Sequence, residues 1–206
     1  MRRQQCEVTD PGKIERILGE ARVGRLATIG QDGYPYITPV NFVYHEGNIY
    51  FHSAPAGEKI DNLRSNPNVC FQVDIPLAYL DSGFDPDGGI CHLHQFYHCV
   101  IIRGQASLVE DDDLKAECLN ALVSKHEKRI DHEPVRTELS GFSRCVVVGI
   151  KPSSITAKTD VFQYKSADFR KKLVEYLSER GASGDSETVE SLIMLQKEFC
   201  LAKGAS

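Results

Sequence analysis

The chain has no tryptophan, no cysteine pair at CxxC spacing and no apolar run long enough to cross a bilayer. The missing run excludes a helical membrane span. The opening MRRQQCEVTD lacks the apolar segment of an export signal, so a cytoplasmic protein is expected. Seven cysteines, an odd number without regular spacing, argue against a disulfide framework and for reduced, mostly buried thiols. Positive charge is scarce as well: 24 Lys and Arg stand against 29 Asp and Glu, a net charge of -5. With no Lys- or Arg-rich face, such a chain would repel a nucleic-acid backbone. What remains is ordinary for a folded protein: 206 residues, 41% apolar and 26% charged, enough for one principal domain with a real core.

Local patterns divide that length. Asp10-Pro11 predicts a helix cap with proline in the first turn, and Ile14, Ile17, Leu18 and Ala21 follow at helical spacing. Turn signals at Gly30–Gly33 and His45–Asn48 then separate three strand-like runs, which predict a meander ending in Phe51-His52. Gly57–Asn66 reads as a short helix and Val69–Ile75 as a strand. Residues 76–95, rich in proline, glycine and aspartate, predict an unusually long loop. The long run His98–Val109, interrupted by Gly104, suits a bent or bulged strand. Glu110–Asp113 reads as a helix N-terminus rather than a metal site. A buried strand at Cys145–Ile150, a last short strand near Ile155 and two helices after Ser166 complete the chain. This order predicts a mainly β, α+β fold: an antiparallel barrel with helices at its ends. Residues 1–160 form the expected barrel domain, and 161–206 a helical extension packed on the barrel or on a dimer partner.

One cluster carries chemistry. Thr38-Pro39-Val40-Asn41 and Phe51-His52-Ser53-Ala54 converge from neighbouring strands, and Gly57-Glu58-Lys59 opens a helix beyond. A phosphate needs backbone N–H groups at a helix start, a hydroxyl and a cation, which Ser53, Gly57 and Lys59 supply together. By itself the spacing fits a plain strand-to-helix turn with a surface lysine equally well.

The stretches Arg22–Phe42, Tyr50–Lys59 and Asn66–Asp74, with Arg103–Asp111 and Ile155–Lys158, together resemble the pyridoxamine 5′-phosphate oxidase-like flavin-binding family, and within it the nitroimidazole-resistance reductase branch. The resemblance implies an FMN-binding split β-barrel that dimerises, with flavin at the subunit interface. It sets Thr38, Pro39, Val40 and Asn41 beside the flavin ring, His52, Ser53 and Ala54 at the ribityl chain and phosphate, and Lys59 as the phosphate cation helped by Asn62. Tyr97, His98 and Cys99 would arrive from the partner chain, although the branch's usual Tyr-x-Ser reads Tyr97-His98-Cys99 here. The C-terminal region lacks the Trp- and Arg-containing motif of true pyridoxamine phosphate oxidases, which disfavours vitamin B6 oxidation.

The expected function is FMN-dependent reduction of a small acceptor, such as a nitroaromatic, by a reduced nicotinamide. No catalytic side chain is assigned. His52 is a candidate acid, with cofactor binding the favoured role. FAD is the alternative flavin and haem a further one, so a flavin- or haem-binding carrier without turnover is the second hypothesis. The run Cys91–Cys99 raises a third, a metal protein. Strand parity sets His92, His94 and His98 on one face and both cysteines on the other, so only a three-histidine site survives, and no metal is assigned.

Overall fold

A computed structural model of the chain describes residues 3–88, 90, 93–129 and 132–204, apart from the side chains of Pro86 and 196–204. The chain divides into two compact units. One comprises Met1–Val8, Asp74–Cys99 and Ala157–Ser206, the other Thr9–Val73 and Val100–Thr156. Three long strands contribute residues to both units.

The second unit begins with helix α1, Pro11–Glu20, whose N-cap Asp10 accepts the Lys13 amide hydrogen as its sequence requires. Strands β2 (Val23–Ile29) and β3 (Pro35–Asn41) form a hairpin, and β4 (Val43–His45) and β5 (Asn48–Ser53) a second one. Helix α2 (Glu58–Ser65) follows, then β6 (Asn68–Leu80), β7 (His94–Leu108), helix α3 (Asp112–His126) and β8 (Val146–Asp160). The sheet order is β3-β2-β6-β7-β8-β5-β4. The two hairpins therefore stand at opposite ends of the sheet rather than forming one meander. Phe42 is the break: its ring is fully buried and meets Phe71 edge-on at 5.1 Å, so the chain turns there to leave one hairpin and start the other. Val43, Tyr50, Cys118, Leu122 and Val147 pack together, which fastens α3 onto β4, β5 and β8.

Gly104 lies inside the continuous strand β7. A Cβ there would lie 2.3 Å from the Lys151 carbonyl oxygen, so glycine is required by the close approach of β8 to β7.

In the first unit, β1 (Glu7–Val8) pairs antiparallel with Ala157-Lys158 of β8. Helices α4 (Ala167–Arg180) and α5 (Asp185–Gly204) pack their Leu173, Leu177 and Leu192 on Leu77, Leu80, Phe96 and Val161. The expected loop at 76–95 is shorter than its composition suggests, since β6 continues through Pro76 to Leu80 and β7 starts at His94. The two strands expected after Cys145 are likewise one, β8, running through Pro152. Among the described residues no helix is long and apolar enough to cross a membrane. Cys6 and Cys118 are buried and Cys70, Cys99 and Cys145 half-buried, and none of these five forms a disulfide.

Candidate functional site

The phosphate-like turn lies at the junction of β5 and α2. His52 and Ser53 pair with Val147 and Val146 of β8, and the strand's alternation turns His52 outward and Ser53 inward. Ser53 is 5% exposed, and among the described residues its Oγ has no hydrogen-bond partner. A buried hydroxyl without a partner is costly in a closed core, and it stands at the end of a strand that leads into a helix start. Gly57 caps α2 at φ 118°, a backbone region open essentially to glycine alone. The Ile60 and Asp61 amides donate to the Gly57 carbonyl at 2.8 and 3.1 Å, so the helix's own bonding begins there, with Glu58 and the half-buried Lys59 ahead of it. Asn62 points elsewhere. It is buried, and its Nδ2 donates to the equally buried Thr28 Oγ1 at 3.1 Å, which ties α2 to β2.

Thr38, Pro39, Val40 and Asn41 occupy the sheet's outer edge. β3 pairs only with β2, which leaves its far side without a strand among the described residues, and Pro39 is tolerated because an edge strand needs no ladder bond there. The outward face of this hairpin carries the exposed Val23, Ile29 and Ile37, of which Ile37 is 60% exposed.

Beside Asn41 lies a basic corner that helical periodicity did not reveal. His126, the last residue of α3, donates from Nε2 to the Phe42 carbonyl at 3.0 Å, and its Nδ1 accepts from Asn41 Nδ2 at 3.4 Å. Because a carbonyl can only accept, the proton sits on Nε2 and Nδ1 faces the asparagine. Burial holds His126 below its ordinary pKa against the raising effect of the Phe42 bond, with the charges of Lys125, Arg22 and His52 adding to the fall. Lys125 lies 3.6 Å from the Phe42 ring centre and donates to the Leu18 carbonyl at 2.8 Å. Burial lowers its pKa to about 8. In sequence, Lys125-His126 reads only as the basic end of a helix; their position over Phe42 depends on the chain break at that residue.

Tyr97, His98 and Cys99 belong to the first unit. Tyr97 Oη accepts from Lys158 Nζ at 3.2 Å. His98 engages Thr159 Oγ1 at 2.8 Å with Nδ1 and Ser191 Oγ at 3.2 Å with Nε2. His94 stacks on Phe162 at 4.4 Å, and its Nε2 lies 3.5 Å from Asp160. The third histidine of the metal reading, His92, lies outside the described residues. Among those described, the set close enough to share an ion is His45, Glu46 and Glu117, on the surface, where His45 and Glu117 bond each other directly at 2.7 Å.

A model of the pyridoxamine 5′-phosphate oxidase family matches residues 10–159. The chain belongs to that family. A curated relative, the uncharacterized protein RA0666 of Rhizobium meliloti (strain 1021), is 38% identical over 61 residues, 29% of this chain and 40% of the relative, so the match spans well under half of that protein's length. Among solved structures, a candidate 5-nitroimidazole antibiotic resistance protein of Bacteroides thetaiotaomicron aligns with TM-score 0.61 at 22% identity, covering 74% of this chain and 85% of its own. The flavocytochrome Anf3 of Azotobacter vinelandii aligns with TM-score 0.63 at 18% identity over 78% of this chain and 72% of its own. The FAD and haem binding protein of Mycobacterium smegmatis gives 0.61 at 16%, over 86% and 82%. These likenesses fix the fold of the family member as a split β-barrel, mainly antiparallel, with flanking helices.

Proposed function

We propose that the chain is an FMN-binding oxidoreductase that works as a homodimer and reduces a small acceptor, such as a nitroaromatic, at the expense of a reduced nicotinamide. The observation that carries this reading is the buried, unpartnered Ser53 hydroxyl at the entrance to a helix that Gly57 opens and Lys59 follows. Those groups fit a phosphate: a hydroxyl donor, the helix-start amides ahead of Ile60 and a cation. Ser53, Ala54 and Lys59 would hold the phosphate end, His52 the ribityl chain, and the exposed edge Thr38–Asn41 the polar edge of the ring. A bound flavin supplies the hydride and electron transfer.

The chain's own residues then have defined tasks. Asn41, held by His126 and the Arg22 carbonyl, keeps its amide fixed at the edge of β3. Arg22, His52 and Lys125 make that corner favourable to negative charge. The apolar face of Val23, Ile29 and Ile37 suits burial against a second copy, which would exclude water from the strand edge. Asn62 serves by setting the angle of α2 through Thr28 rather than by touching phosphate.

The reading is tested by the visible spectrum of the purified protein and by donor oxidation. FMN bands that remain through gel filtration, with nitroaromatic-dependent oxidation of reduced nicotinamide above the free-flavin rate, are expected. Bound flavin without such turnover would support the carrier reading, which has counterparts in the flavocytochrome and the FAD and haem binding protein named above. A protein that neither carries nor takes up FMN or FAD would overturn both.

A further inference from the structure

The first unit contains a cavity of about 280 Å³. Its size is at the lower end of the range for ligand pockets, roughly 300 Å³ and upward, and suits a single ring rather than a nucleotide or a macrocycle. Leu80, 1% exposed, forms its buried end, and the walls are aromatic. Phe84 meets Phe169 edge-on at 5.2 Å, and Phe162 meets Phe169 at 5.9 Å. Such a herringbone offers both edges and faces to another ring, an arrangement aliphatic ligands do not exploit.

Phe162 is held there at a conformational cost. Its φ is 57°, unusual for an aromatic residue, and the turn around it is fixed by several bonds. Gln163 Oε1 accepts the Val161 amide hydrogen at 3.0 Å, its Nε2 donates to the carbonyls of Thr159 and Gln5, and the Lys165 amide donates to the Phe162 carbonyl at 2.9 Å. The result is a ring stacked on His94 and presented to the cavity. His94 Nε2 and Asp160 Oδ1 are both buried and face each other at 3.5 Å without hydrogen-bond geometry, so the stack and this ion pair together position the imidazole. It serves the cavity as a further aromatic face.

The exposed end is positive. Arg3 bonds the buried Asp160 through one guanidinium nitrogen at 3.2 Å, which leaves its other donors open to a second acceptor. Lys165 holds its ammonium 5.4 to 5.9 Å from the ring centres of Phe162, Tyr164 and Phe169, and among the described residues no carboxylate pairs with it. We propose that this cavity binds a small planar aromatic anion of the aryl carboxylate class, its ring among Phe84, Phe162 and Phe169 and its carboxylate toward Arg3 and Lys165.

Calorimetric titration of the full chain with benzoate, cyclohexanecarboxylate and benzyl alcohol separates the contributions of ring and charge. Saturable benzoate binding is expected, with the other two at least about fivefold weaker. Lys165→Ala should weaken benzoate about fivefold and leave benzyl alcohol unchanged, and Lys59→Ala should leave benzoate unchanged. Because the Lys165 side chain is on the surface, circular dichroism of the variant should match the parent. No saturable benzoate binding, equal affinity for all three compounds, or a loss that follows Lys59 instead of Lys165 would overturn the proposal.

Discussion

Removing the Arg180 side chain exposes the main electrostatic contact of the first unit. Arg180 grips Asp185 with Nε at 3.0 Å and Nη2 at 2.5 Å, and reaches Asp81 with Nη1 at 2.6 Å. The Asp185 side chain is 1% exposed, whereas that of Asp81 is 43% exposed. The two partners therefore count differently. Losing the exposed Asp81 contact costs less than about 1 kcal/mol, but stripping a buried carboxylate of its bidentate partner costs about 3–5 kcal/mol. The Ala182 amide still donates to Asp185 at 2.7 Å in the variant, so the lower part of that range applies. Arg180→Ala should lose about 3 kcal/mol, which for a chain of this size lowers Tm by roughly 6–12 °C. The Arg180 bond holds the Asp185 carboxyl below its usual range against the opposing effect of burial. The stabilisation is therefore complete above the unfolded value near 3.9, and is lost as pH falls through the lower folded value. In the variant the unpaired carboxyl takes up a proton more readily, so the gap between the two proteins should narrow on acidification toward about pH 4. Adding Asp185→Asn to Arg180→Ala should recover about 1–2 kcal/mol by removing the stranded charge. Thermal unfolding followed by circular dichroism at both pH values checks this. A neutral-pH Tm for Arg180→Ala within about 2 °C of the parent would refute the reasoning.

Other expectations follow from single contacts. Gly104→Ala drives a methyl group to 2.3 Å from the Lys151 carbonyl, and denaturant titration should show a loss of about 2–3 kcal/mol. Lys125, with its pKa lowered to about 8 by burial, carries fewer protons folded than unfolded between about pH 8 and 10.4, so stability should rise across that window by on the order of 2 kcal/mol, and Lys125→Met should flatten the rise. His126→Ala removes the acceptor that holds Asn41, and should weaken FMN binding several-fold, on the order of 1 kcal/mol, with unchanged far-ultraviolet circular dichroism; unchanged affinity would assign His126 to packing alone.

Much of this fold was legible where local chemistry decides it. Asp10 and Asp111 cap α1 and α3 as a side-chain acceptor three residues before a donor should. The strand ends were less legible, because proline inside β6 and β8 looks like a terminator in sequence, yet Pro76 and Pro152 lie within strands that continue past them. The break at Phe42 was invisible for the opposite reason. Tyr34–Tyr44 reads as one continuous strand, and only the burial of the Phe42 ring against Phe71 divides it. The candidate site shows the same contrast. Ser53, Gly57 and Lys59 lie within seven residues and could be read together. Asn62 looked like a helper on the same helix, but its inward direction follows from Thr28, a buried hydroxyl on the inner register of β2 with Gly24 and Leu26. His126 is 85 residues from Asn41, and no spacing rule joins them.

The central claim is that the turn from Ser53 to Lys59 holds the phosphate of a flavin. Equilibrium titration of the protein with FMN, followed by flavin fluorescence, tests it most directly when repeated with riboflavin and with Lys59→Ala. Binding of FMN to the parent, at least about tenfold weaker binding of riboflavin, and a loss of about tenfold or more in FMN affinity for the variant with riboflavin unaffected are expected. Equal affinity for FMN and riboflavin, or full FMN affinity without the Lys59 ammonium, would contradict it.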